Sequence, residues 1–324
     1  MHRWHASRSP RADPGAPTVE HLAIIGPTAS GKSAVAVAVA QTLGDVEIVS
    51  LDSMQVYRGL DVGTAKPDLR TQAAVPHHLI DVADPDADWS VARTQTLARA
   101  AVAAIEARGR RALLVGGTGL YVQAVVDDLR LPGEDLALRA ELEARTQEPG
   151  GIAAAYRDLS ARDPVAASRI DPHNARRIVR ALEVIELTGA PFSSFGEGVT
   201  AYGAPIFPVS MAGVWLPRPV LAQRIAARVD AMRRDGFTDE VRAVVATTGL
   251  SRTARQAIGY HELADVIEHG DDPDDATFDT ITRRTRSFAR RQRMWFRRDP
   301  RITWYATPDN PCRIIPALLA TWSP

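Results

Sequence analysis

Apolar positions along this chain follow two periods in turn. Short apolar runs at Leu22-Ala23-Ile24-Ile25 and Ala112-Leu113-Leu114-Val115, with a weaker alternation at 46–51, predict strands, the first and last apolar on both faces as in a buried parallel sheet. Between them lie longer segments of helical character. Residues 34–43 are rich in Ala and meet no Gly or Pro before Gly44, and 90–107 run from Ser90 as N-cap to a stop at Gly109. Residues 53–67, with Gly59, Gly63 and Pro67, read as a long functional loop, and 76–81 as a further short strand. Strands alternating with helices predict a parallel α/β sheet.

From 132 to 203 the strand signal disappears. Helices are expected over 136–145, 152–160 and 175–187, separated by Pro149-Gly150-Gly151 and Asp171-Pro172. Strand character returns at 206–215, and helices follow over 220–235, 239–246, 260–268 and 275–298. The expected organisation is a core from 21–131 and 204–324, the latter carrying basic helices, with an inserted all-helical lobe at 132–203. Residues 1–20 are polar and Pro-rich, lack the apolar stretch of a signal peptide, and read as a disordered tail.

Chemistry enters at Gly26-Pro27-Thr28-Ala29-Ser30-Gly31-Lys32-Ser33, which fills every fixed position of G-x-x-x-x-G-K-[ST] between a strand and a helix. Its backbone N–H groups and the helix N-terminus favour an anion. Lys32 adds a point charge, and Ser33 is a candidate ligand for Mg2+. The fold class is therefore α/β, a P-loop NTPase-like parallel sheet flanked by helices. Asp52 and Thr118 also follow the carboxyl ends of strands, the edge at which open parallel sheets bind ligands. Asp52 has three readings: a general base, a carboxylate serving magnesium, or the cap of an Asx turn. His77 and His78 are adjacent, do not have the spacing of a metal pair, and read as structural.

Charge composition alone decides nothing, because Lys+Arg and Asp+Glu both number 39. Its distribution does. Residues 283–298 hold eight Arg and no acid, and Arg286, Arg290, Arg293 and Arg297 step at helical spacing, which points to a polyanion such as nucleic acid. Arg176 and Arg180, and again Arg224 and Arg228, stand at i, i+4. The lone Cys312 excludes a disulfide framework and a cysteine-based zinc site. No apolar run approaches the roughly 20 residues that span a bilayer.

Several blocks together resemble the tRNA dimethylallyltransferases, the bacterial tRNA isopentenyltransferases. They are the glycine loop at 26–33, the run 52–67, Pro76-His77-His78-Leu79-Ile80-Asp81, Gly116-Gly117-Thr118-Gly119-Leu120-Tyr121, Arg180-Ala181-Leu182-Glu183-Val184 and Gln256-Ala257-Ile258-Gly259-Tyr260-His261-Glu262. The resemblance implies transfer of a dimethylallyl group from dimethylallyl diphosphate to N6 of the adenosine beside the anticodon. It implies Asp52 as base, Thr28 and Thr118 at the reaction centre, and a diphosphate on Gly26 to Ser33 with Mg2+ on Ser33. It also implies contacts to the tRNA anticodon stem-loop from Asp52, Ser53, Met54, Gln55, Thr118, Arg139, Arg176, Arg177, Ile178, Val179, Arg180, Gln256, Gly259 and Tyr260. A cytoplasmic monomer without membrane association is expected. The competing readings are a small-molecule P-loop kinase, an isopentenyltransferase acting on AMP, and an RNA-binding module without catalysis.

Overall fold

A computed structural model describes residues 19–195, 199 and 201–323, so residues 1–18 of the expected tail lie outside the described residues. Strand β1 (His21–Ile25) leads through the glycine loop into helix α1 (Lys32–Leu43), followed by β2 (Val46–Ser50), a short α2 (Leu69–Ala74) and the two-residue β3 (His77–His78). Next come α3 (Val91–Glu106), β4 (Arg111–Gly116) and α4 (Gly119–Val126). Among the described residues the insert holds four α-helices: α5 (Leu136–Gln147), α6 (Gly151–Arg162), α7 (Pro164–Arg169) and α8 (Ala175–Thr188). The chain returns through β5 (Val209–Trp215), α9 (Arg218–Arg234), α10 (Phe237–Thr247), α11 (Tyr260–Glu268) and α12 (Asp275–Phe296), and closes with β6 (Ile302–Ala306) and α13 (Ile315–Trp322).

Among the described residues, six strands form one parallel sheet in the order β3-β2-β4-β1-β5-β6. From β1 the chain crosses to β2, leaving a place that β4 later fills, and after the insert it resumes on the other side of β1 at β5. Connections from neighbouring strands therefore diverge, and the crevice this opens lies at the carboxyl edge. Both faces are covered. Val35, Ala36 and Val39 of α1 pack with Leu318 and Trp322 of α13 on one side. Ala98, Val102 and Ile105 of α3, Val122 of α4 and Phe296 of α12 cover the other. Strands buried on both faces explain why the sequence shows apolar runs there and little alternation.

Helix α3 starts and stops where its sequence says: the Ser90 side chain accepts the Arg93 N–H, and Gly109 is left-handed at φ 69°. The insert has its own apolar cluster, built by Leu142, Leu159, Ile178, Leu182 and Ile185, each burial contributing roughly 1.5–3 kcal/mol. The residues after 298 carry a strand and a helix that the periodicity did not reveal. In β6 the apolar set Ile302, Trp304 and Tyr305 does not alternate cleanly, because the strand lies at the sheet edge and is only partly buried.

Candidate functional site

Three strand ends meet at one address. The glycine loop follows β1, Asp52 follows β2 and Gly117-Thr118 follow β4, with β4 lying between the other two strands. Within the loop Ala29 and Gly31 take left-handed conformations, φ 60° and 88°, of the kind that builds backbone anion nests, while the Ser30 N–H closes onto the Pro27 carbonyl at 3.2 Å. Gly31 is required twice over: its φ favours glycine, and a Cβ there would come within 2.3 Å of the Pro311 ring. The Ser30 hydroxyl is buried in the loop without a partner.

Lys32 opens α1. A Cβ placed on Gly117 would lie 3.3 Å from its ammonium and 2.7 Å from the Gln292 amide nitrogen, so the bare Gly117 backbone leaves room for both. Burial lowers the Lys32 pKa to about 8; Asp52 opposes that shift and Arg228 adds to it. An ammonium held in this way lacks a sufficient counter-charge, and an anionic ligand would supply it. Ser33 lies exposed in the same first turn. No group of three or more His, Cys, Asp or Glu is arranged to hold a metal among the described residues.

Asp52 accepts the Met54 N–H at 2.9 Å, so the Asx-turn reading is realised. The bond occupies one lone-pair site and leaves carboxylate capacity toward the crevice. Thr118 is the N-cap residue of α4, but its hydroxyl makes no capping bond.

The loop at 53–67 has little regular structure, yet it is firmly held. Gln55 is buried: its side-chain oxygen accepts from Ser50 Oγ at 3.0 Å, and its amide nitrogen donates to the Thr64 and Ala65 carbonyls. The Lys66 ammonium donates to the Tyr57 carbonyl at 2.8 Å and pairs with Asp61 and Asp81. From α10, the Glu240 carboxylate accepts the backbone N–H groups of Asp61, Val62 and Gly63 at 2.8, 2.7 and 3.1 Å. The Tyr260 hydroxyl donates to the same carboxylate. Sequence reasoning missed Glu240, since a carboxylate this far along the chain from its partners carries no local signal.

Helix α9 bends two arginines over the crevice. Arg224 Nε donates to the Ala29 carbonyl of the glycine loop at 2.9 Å, and an Arg228 amine donates to the Thr64 carbonyl at 3.3 Å. Burial lowers the Arg228 pKa, against the pull of Asp52. Helix α12 reaches the same place from another side. Gln292 is buried and its oxygen accepts the Thr28 N–H at 2.8 Å, while Trp295 packs on the Gly119 backbone. Neither contact was legible in sequence.

Several expected RNA-contacting residues have other work. Ile178 and Val179 are 0% and 2% exposed inside the insert's core, so their side chains do not reach a surface. Tyr260 is fully buried and bonded to Glu240, and Gly259 turns at φ 96° against Phe237, so both support the 53–67 loop from within. The Gln55 side chain is likewise spent on that loop. Arg139 and Arg180 both bond Glu183, which is fully buried. Arg176, Arg177 and Gln256 are exposed, and Ser53, Met54 and Thr28 are partly so. The basic stripe needs one correction. Arg293 is buried, donates to the Leu216 carbonyl at 3.1 Å and lies 3.7 Å over the Trp215 ring, because α12 turns that position toward β5. Arg283, Arg284, Arg286, Arg290, Arg291, Arg297 and Arg298 remain exposed, Arg284 pairing with Glu262. The adjacent histidines are structural as expected: His78 bonds Glu47 at 2.7 Å, and His77 lies 2.7 Å from the Val75 carbonyl.

Comparison with known proteins gives one consistent result. Residues 55–299 match the family model described as IPP transferase, and residues 19–74 match that described as isopentenyl transferase. A tRNA dimethylallyltransferase from Bifidobacterium longum is 46% identical, covering 87% of this chain and 85% of the relative. The crystal structure of the full-length tRNA isopentenylpyrophosphate transferase from Bacillus halodurans is 39% identical with a TM-score of 0.65, covering 93% of this chain and 96% of that one. A eukaryotic dimethylallyltransferase, whose structures are described as snapshots of the enzyme acting on tRNA, superposes with a TM-score of 0.73 at 25% identity, covering 90% of this chain and 74% of that one.

Proposed function

This chain belongs to the tRNA dimethylallyltransferase family, and we propose that it prenylates N6 of the adenosine 3′-adjacent to the anticodon in tRNAs reading codons that begin with U. Dimethylallyl diphosphate is the donor, and the products are N6-isopentenyladenosine and diphosphate. The allylic C–O bond breaks, the N6–C bond forms, and the proton released from N6 passes to Asp52. The observation carrying this reading is the meeting of the glycine loop, Asp52 and Thr118 at three neighbouring strand ends, beneath the two arginines of α9.

Charge on the leaving diphosphate is met by the loop N–H groups, by Lys32, and by Arg224 and Arg228, all fixed before the reaction starts. Magnesium on Ser33, when bound, neutralises further phosphate charge. Thr118 and Thr28 supply hydrogen bonds at the reaction centre. N6 is a weak nucleophile and lies within a base stack in RNA, so the adenosine is flipped out to reach Asp52. Exposed arginines of α12, with Arg176 and Arg177 of α8, hold the phosphate backbone of the anticodon stem-loop. We place the reaction in the cytoplasm and take a monomer as the working unit; no helix among the described residues is long and apolar enough to cross a membrane.

The test is Asp52→Asn. Turnover is expected to fall by about 10²–10⁴, the usual worth of a general base, with stem-loop affinity within a few fold of the parent. An Asn variant with full turnover would remove Asp52 from the mechanism.

A further inference from the structure

A glycine loop of this sequence ordinarily serves nucleoside triphosphates, its backbone N–H groups and lysine cradling the β- and γ-phosphates. Here the Ser30 N–H closes within the loop onto the Pro27 carbonyl at 3.2 Å, and a second N–H is taken from outside the loop. Thr28 N–H, the loop donor well removed from the α1 N-terminus, is bonded at 2.8 Å to the side-chain oxygen of Gln292. The bond is built in, not incidental. Gln292 is only 7% exposed, it comes from a helix 264 residues along the chain, and its amide nitrogen lies against the bare backbone of Gly117 beside the Lys32 ammonium. The amide thus lies between the loops that follow β1 and β4, its oxygen on the Thr28 N–H and its nitrogen against Gly117.

We infer that Gln292 is a specificity-determining residue that makes the glycine loop a diphosphate site and closes it to a third phosphate. The inference rests on the proposed function, in which the loop holds a diphosphate. Two effects act together. The Thr28 N–H is withdrawn from the set of donors, and the partial negative charge on the amide oxygen repels any additional anionic group brought beside it. The ligand portion beyond the second phosphate then meets a site with no free backbone donor at that point, which suits an uncharged allyl group and penalises a phosphoryl group. Lys32, Arg224 and the remaining loop N–H groups are untouched, so diphosphate binding keeps its own donors.

The probes are inorganic pyrophosphate and inorganic tripolyphosphate, each titrated with magnesium into the full chain by calorimetry, in the parent protein, Gln292→Ala and Gln292→Asn. Asparagine keeps the amide but is one methylene too short to hold Thr28, so it disturbs α12 packing less than alanine. The parent is expected to favour pyrophosphate. Both variants are expected to shift the preference toward tripolyphosphate by about ten- to a hundredfold, the worth of one hydrogen bond to a charged acceptor, while pyrophosphate affinity changes less than about threefold. If both ligands weaken equally, or the preference does not move, Gln292 only packs the helix and the inference is overturned. If pyrophosphate fails to bind the parent protein, the diphosphate reading of the loop falls instead, and that result is distinct from the first.

Discussion

Two helices carry arginine pairs with the same spacing, and they differ in what faces the guanidinium groups. On α8, Arg180 is bound to the buried Glu183, which also holds Arg139 from α5, so three charged groups close on one another inside the insert. On α9, among the described residues, Arg224 and Arg228 are held by backbone carbonyls, those of Ala29 and Thr64. A carbonyl orients a guanidinium without cancelling its charge. The pair on α9 therefore keeps its charge, whereas Arg180 on α8 faces a carboxylate that offsets it. Burial alone would raise the Glu183 pKa, but the hydrogen bonds from Arg139 and Arg180 override it and hold the carboxyl below its ordinary value.

The difference is broken most severely at α9. Arg224→Ala should lower kcat/KM by about 10²–10³, in line with losing one preorganised donor to a developing anion, with little change in Tm. Arg180→Ala should do the reverse, lowering Tm while leaving turnover within a few fold; steady-state kinetics and a melting curve on both variants check the contrast. Next in size is Glu183→Ala, which leaves two partly buried arginines without their carboxylate. It should cost about 3 kcal/mol, the low end for a broken buried pair because the arginines still reach solvent, and denaturant titration measures it. The sign with pH follows from the lowered carboxyl: its contribution is complete above the ordinary Glu range near ~4.3 and is lost as pH falls below it. The stability difference between parent and variant should therefore shrink in acid.

Much of this was legible in the sequence, and the remainder was not for a physical reason. Local signals placed α1, α3, α11 and the three chemical loops, because an N-cap, a left-handed glycine and a buried apolar run act within a few residues of themselves. Glu240, Gln292 and the burial of Arg293 depend on partners brought together by the tertiary fold, and spacing along one helix cannot report them. The basic stripe at 286, 290, 293 and 297 shows the limit: its period was right for a helix, but Trp215 and the Leu216 carbonyl decided which member turns inward.

Smaller effects sharpen the same contrast. Glu240→Gln removes the charge that gathers three backbone N–H groups of the 53–67 loop. A roughly tenfold loss in kcat/KM is expected, about 1.4 kcal/mol of loop order, with kinetics as the check. Lys32, at about 8, should regain its proton when an anion binds, so pyrophosphate affinity should decline as pH rises past that value. Calorimetry in two buffers of different ionisation enthalpy would register the proton uptake near pH 8. Smallest is the surface term. Arg290→Ala should reduce the salt slope of stem-loop binding by about one, whereas Arg293→Ala should leave the slope unchanged and lower Tm.

The most direct measurement is one incubation of the full chain with an unmodified anticodon stem-loop, dimethylallyl diphosphate and magnesium, followed by digestion to nucleosides and mass spectrometry. A dimethylallyl increment on the adenosine 3′ of the anticodon is the expected result. Transfer to a different nucleoside only, or no transfer at all, would contradict the proposed reaction.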